Sequence, residues 1–166
     1  MMRRVLFLLS GNLPCRIIND GGNPYLERYY VGRIFFLTFY LHRFVGSDPD
    51  RGLHDHPWHR AYSFILAGFY DEITRAGVQR IRWFNRLTGD SFHRVVLPDG
   101  MRDVWTLFCH GPYIKSWGFL RETTTAGEPV MTWVPHLYDK GETGGAQRWW
   151  ENAPNGWREP RRMKDH

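Results

Sequence analysis

His54 and His56, two residues apart in LHDHPWHRAYSFILAG (53 to 68), are the residues of this 166-residue chain whose types and spacing most directly suggest chemistry. Alternate side chains of a strand share a face. An H-x-H pair on a strand therefore presents both imidazoles on one side, about 7 Å apart, with Asp55 on the other. Two imidazoles so placed can share one metal ion. The alternative is a pair of histidines serving only surface or core, and the elements around them have to decide.

Those elements read as short strands. Arg4 to Leu9 predicts a first strand, Arg16 to Ile18 a second, and Tyr25 to Val31 a third that Gly32 breaks. Ile34 to Phe44, dense in β-branched and aromatic residues, predicts one long strand. A polar turn (46 to 52) leads into the histidine strand, which Gly68 closes. Phe69 to Thr74, Val78 to Trp83 and Ser91 to Leu97 predict further strands, and Asn85 to Asp90 a turn. Val104 to His110 and Tyr113 to Phe119 predict a hairpin around Gly111-Pro112, and Val130 to Val134 a last strand. Helix is expected only near Gln147 to Asn152. Many short strands between Gly/Pro turns indicate an all-β sandwich or barrel, over 1–140, with a basic Gly/Trp/Pro-rich tail, 141–166, expected to pack loosely.

Composition agrees with a single domain: 42% hydrophobic and 23% charged residues are ordinary for a globular chain, and 16% aromatic residues suit pleated surfaces and pocket linings. The net charge of +5 raises the question of nucleic acid, but no Lys/Arg run coincides with aromatic spacing of the stacking kind, so nucleic-acid binding is not expected. Cys15 and Cys109 read as reduced thiols, and the apolar run Val5 to Leu9 is too short for a signal segment or a membrane span. Those features predict a cytoplasmic protein. There is no G-x-S-x-G, Walker loop, G-x-G-x-x-G or C-x-x-C.

The stretch HDHPWHRAYSFILAG resembles the first motif of the cupin superfamily, which has H-x-H, then a glutamate, then a glycine. His54, His56 and Gly68 match, and Ala61 stands where the glutamate is expected. The second cupin motif is reduced to its histidine, matched by His93 in GDSFHRVVL. PYLERYY, YLHRF, DPDRGLHDHPW, HRV, WTL and WGF together are also similar to small cupin-like proteins of bacteria and phages. The resemblance implies a double-stranded β-helix (jelly-roll) barrel with His54, His56 and His93 projecting into it. Three neutral nitrogen donors suit Fe(II), Zn(II), Ni(II) or Mn(II). Likeness to three-histidine cupins of the thiol dioxygenase type puts Fe(II) first.

Around this centre, His42 is the spare ligand or supporting group, or simply a strand-end histidine. Arg43, Arg82 and Arg94 are the candidate contacts for an anionic substrate group, with Arg94 facing away from His93 on strict alternation. Ala61 and Ser63 are expected inward on the strand after His56. Trp105, Phe108, Tyr113 and Trp117 line the cavity or are plain core. The functional expectation is an Fe(II)-dependent dioxygenase acting on a small molecule. A non-enzymatic binding or structural cupin, and a redox-neutral metal-dependent isomerase or hydrolase, stay open, and a homodimer is compatible with each.

Overall fold

The computed structural model describes residues 1–125, 127–137 and 148–164. Two six-stranded antiparallel sheets stack face to face as a jelly roll. The first runs in the order β1 (Cys15–Asp20), β2 (Asn23–Ile34), β3 (Leu37–Phe44), β10 (Val104–His110), β5 (Arg60–Ala67), β8 (Phe84–Thr88). The second runs β12 (Glu128–Pro135), β11 (Gly118–Thr125), β4 (Leu53–His54), β9 (His93–Val96), β6 (Tyr70–Thr74), β7 (Gly77–Ile81). The two remain separate hydrogen-bonded sheets rather than one closed ring of strands. Leu26, Phe44 and Val104 of the first pack against Tyr70, Ile81 and Val95 of the second, which identifies the inner faces.

Several strands differ from their sequence reading. Arg4 to Leu9 lies in a helix, α1 (Met2–Ser10), not a strand. Its run of aliphatic residues is too short to reveal a period, but Arg3, Leu6, Phe7 and Ser10 share one helical face. Leu6 and Phe7 join Cys15, Ile17, Tyr29, Leu41 and Trp105 on the outer face of the first sheet, and Arg3 Nε donates to Asp103 at 2.7 Å. The expected strand from Ile34 to Phe44 is divided by a turn that carries no Gly or Pro. Phe35 takes φ 53° there, and Arg33 Nε donates to its carbonyl. Asn85 to Asp90 is largely strand, its Asn85 and Leu87 buried and Phe84, Arg86 and Thr88 exposed. Gly32 is accommodated in β2 as a register shift instead of ending it.

The hairpin expected from 104 to 119 does not form. β10 pairs with β3 and β5, while β11 belongs to the other sheet and pairs with β4 and β12. The crossing segment is held by Ile114 N–H on the Pro57 carbonyl and His59 N–H on the Pro112 carbonyl. Gly68 has φ +86°, and a Cβ there would lie 2.9 Å from the Asp103 carbonyl, so the glycine of the motif is required by its turn.

The C-terminal segment from 148 to 164 docks rather than hanging free. A single 3₁₀ turn, Trp149–Glu151, replaces the expected helix. Trp157 lies against Gly11, where a Cβ would overlap the indole, and Arg162 donates to Tyr29 Oη, Ser10 Oγ and the Phe7 carbonyl. The 138–147 part of the expected tail and of the domain boundary lies outside the described residues.

Candidate metal centre

The three histidines come together. Their ligand atoms lie within 4.8 Å of one another. His54 and His93 are direct cross-strand partners between β4 and β9. His56 lies beyond the end of β4, in the loop that carries the chain to the first sheet, so the two histidines of H-x-H do not share one strand as expected. The tertiary clamp is Asp55, which is 1% exposed. It accepts from Gly118 N–H at 2.6 Å, Lys115 Nζ at 2.8 Å and Trp133 Nε1 at 3.2 Å, turning both flanking imidazoles the other way.

The donor set fits a divalent metal. His93 Nδ1 lies 2.5 Å from Glu72 Oε1, and Asn85 Nδ2 donates to the same oxygen at 2.7 Å. A carboxylate on Nδ1 holds the proton there and leaves the Nε2 lone pair for a metal. His93 Nε2 lies 2.8 Å from His56 Nε2. Donors at a right angle on one metal, with bonds of about 2.1 Å, stand about 3 Å apart. Burial holds His54 and His56 well below the usual histidine range, and the neighbouring His93 adds to this, so both are the neutral imidazoles that metals bind. Burial alone would raise Glu72. The interaction with His93 and the hydrogen bond from the Asn85 amide outweigh it and hold the carboxyl below its ordinary value.

Glu72 was not among the residues picked from sequence, although its signal was there: it shares the buried face of β6 with Tyr70. Asp48 was missed too. Its Oδ2 lies 3.9 Å from His54 Nδ1 and accepts from Val95 N–H, and burial raises its carboxyl.

The remaining candidates separate by face. His42 is on the inner face of the first sheet, but its Nε2 accepts from Arg28 Nε at 3.1 Å and it stands outside the three-histidine group. Arg43, next along β3, points the opposite way, under α1, where its Nε bonds Asp103 at 2.9 Å and its Nη1 reaches Glu27. Arg82 is exposed over the Phe69 ring. Arg94 pairs with Asp50 in an open groove of about 580 Å³ on the outer side of the second sheet, together with Arg51 and Arg121. None of the three faces the histidines.

Ala61 and Ser63 are inward and buried, as expected, but Ala61 is packed with Tyr40, Trp58, Leu87 and Phe108. Trp105 is outer-face core, stacked on Tyr29. Tyr113, 41% exposed, meets Trp58 edge-on. Trp58 itself stacks on His56 at 5.1 Å and on His110 at 4.4 Å, making an aromatic wall beside the centre. Trp117 stands 6.3 Å from the His54 ring and carries His136 stacked at 4.3 Å.

His110 makes the acid response of the metal-free fold calculable. Burial pushes it down to about 4, against a partial upward effect of the bond from its Nδ1 to the Gly111 carbonyl. Between about 6.5 and 4 the unfolded chain therefore binds more protons than the folded one, and stability falls as pH drops through that window. His42, His54 and His56 act in the same direction. Moving from about pH 7.5 to about pH 5 is expected to cost about 2 kcal/mol from His110 alone. Urea unfolding of chelator-treated protein at the two pH values measures it, and an equal or higher midpoint in acid contradicts it.

No family model and no curated protein matches the chain. Solved structures match its fold. A cupin-2 domain protein of Rhodospirillum rubrum is 14% identical, with 66% of this chain and 76% of that one covered and a TM-score of 0.54. A sugar phosphate isomerase from a cupin superfamily, of Silicibacter pomeroyi, is 13% identical over 73% of this chain and 88% of that one, with a TM-score of 0.52. The polyketide cyclase RemF of Streptomyces resistomycificus is 12% identical over 61% and 75%, with a TM-score of 0.50. The chain thus has the cupin fold, as the H-x-H motif implied. One fold carrying an isomerase and a cyclase leaves the activity to be argued from the site. No helix among the described residues is long and apolar enough to cross a membrane.

Proposed function

We propose that His54, His56 and His93 hold one divalent metal and that the protein is a metal-dependent enzyme acting on a small molecule, with Fe(II)-dependent dioxygenation as the first reading. The observation that carries the metal is the His93–Glu72 pair: a buried carboxylate fixes the tautomer that aims Nε2 at the other two imidazoles. Three neutral donors and no carboxylate in the ligand group leave positions at which the metal, when bound, supplies contact to both a substrate and dioxygen. Trp58, stacked on His56 and packed on Phe108, puts apolar surface beside the ligands. Zn(II), Ni(II) or Mn(II) would serve a redox-neutral isomerisation or hydrolysis instead. Asp48 favours this second reading, because its carboxyl stands 3.9 Å from His54 Nδ1, a position from which a carboxyl can exchange a proton near the site.

Metal analysis of protein purified without added metal separates the two. Near-stoichiometric iron with oxygen uptake on a panel of small carboxylates supports the first. Zinc or nickel with no oxygen consumed supports the second. Failure of the purified or metal-supplemented protein to retain any metal overturns both.

A further inference from the structure

We infer that Arg28, positioned by His42, is the anchor for a carboxylate on a small ligand held at the inner face of the first sheet, so that the substrate is a monocarboxylate with an apolar or aromatic body. Arg28 on β2 lies opposite His42 on β3, in the inner-facing row that continues through Thr106 and Ile65. It is half-buried, and its Nε is committed to His42 Nε2 at 3.1 Å. His42 accepts there, so its proton is on Nδ1 and the ring is neutral. The guanidinium lies over Tyr40, 5.5 Å from the ring centroid. His42 stacks on Phe108, Phe108 packs on Trp58, and Trp58 stacks on His56, so a run of rings joins this cation to the metal centre.

The argument turns on charge. Arg3, Arg43, Arg80 and Arg94 each have a carboxylate within 3 Å. Among the described residues none pairs with Arg28. Glu27, its neighbour in sequence, points to the outer face and is spent on Tyr29, Arg43 and the Met163 N–H. A half-buried guanidinium surrounded by neutral imidazoles and aromatic rings is costly without an anion. With Nε engaged, the two Nη groups remain, and their parallel N–H bonds match the two oxygens of one carboxylate. One cation balances a monoanion and leaves a phosphate dianion half neutralised. Tyr40, Phe108 and Trp58 offer an apolar body rings to pack on.

Naming this ligand as the substrate rests on the metal-centre reading; the anion site itself does not. The test uses metal-free protein, the intrinsic tryptophan fluorescence, and three probes: benzoate, its neutral isostere benzamide, and inorganic phosphate. Benzoate is expected to give a saturable change, with benzamide and phosphate at least tenfold weaker. Arg28→Met is expected to weaken benzoate at least tenfold, and Arg28→Lys to recover only part. His42→Phe, which keeps the ring but removes the acceptor, should weaken it several-fold. Equal binding of benzoate and benzamide overturns the inference, as does benzoate binding unchanged in Arg28→Met. Thermal melts and metal content of each variant accompany the titrations, and Arg28→Gln replaces the methionine variant if that fails to fold. Loss of metal binding in the wild-type protein with benzoate selectivity intact would sink the enzyme reading and leave the anion site standing.

Discussion

Replacing His93 with alanine is expected to lower metal affinity by more than a hundredfold while leaving a folded jelly roll. The variant removes a ligand that strand pairing on both sides and a hydrogen-bonded buried carboxylate hold in place: His93 pairs with His54 on one side and with Thr74 on the other, and Glu72 fixes its tautomer. Glu72, 5% exposed, would keep only the Asn85 amide, so burial would push its carboxyl up and reduce the cost of an unpaired charge. Glu72→Gln is the graded companion. It preserves shape and can still accept from Nδ1, but loses the charge that makes the imidazole a better donor. Changes of this kind cost about 10–100-fold in affinity. Competition with a chelating indicator, read alongside metal content after dialysis, measures both variants. Unchanged affinity in His93→Ala would show that the three imidazoles converge for packing alone.

The second large effect belongs to a residue far from any chemistry. Asp103→Ala is expected to destabilise the protein by about 3–5 kcal/mol, because it strips the partner from a buried cation. Asp103 is 0% exposed and holds Arg3 Nε at 2.7 Å and Arg43 Nε at 2.9 Å. Arg43, itself 3% exposed, would retain only a 3.4 Å contact to Glu27 and the Met163 carbonyl. The same cluster ties α1, β3 and the C-terminal segment to the outer face of the first sheet. Removing cation and anion together, in Asp103→Ala with Arg43→Met, is expected to cost less than the sum of the single changes, since no uncompensated charge is left. Urea midpoints of the three variants give the cycle. Additive costs, or a loss below about 1 kcal/mol for Asp103→Ala, would show that water reaches the pair.

Arg43 illustrates why the anion contact could not be read from sequence. Its position beside His42 suggested the site, yet alternation sends adjacent residues of a strand to opposite faces. Only the placement of α1 shows that the Arg43 side is core and the His42 side faces the second sheet. Arg28 gave no local signal, because its role depends on lying across from His42 in a register that no spacing rule supplies. Glu72 was closer to legible: an alternating strand with Glu on the same parity as an aromatic marks a buried carboxylate in need of a partner. The helix at the N-terminus was missed for a different reason. Nine residues with Val5, three Leu and Phe7 in one unbroken run carry no decisive period, and its face is defined by partners such as Asp103, about a hundred residues away in the chain.

The histidine stretch divides the same way. Residue types and spacing alone pointed to His54 and His56 as metal-type donors, to an all-β chain around them, and, through Gly68, to the end of their strand. Tertiary structure decided the rest. β4 is two residues long, so strand alternation could not aim the pair, and Asp55, clamped from three sides by the crossing loop and by β11 and β12 of its own sheet, does so instead. Ala61 in place of glutamate was visible in the chain, but only packing shows Trp58, Leu87 and Phe108 closing around it. Local chemistry can be written in one segment. Convergence of three donors, and the carboxylate that holds one of them, requires β4, β9 and β6 to lie side by side in one sheet, a pairing of segments far apart in the chain that no local spacing supplies.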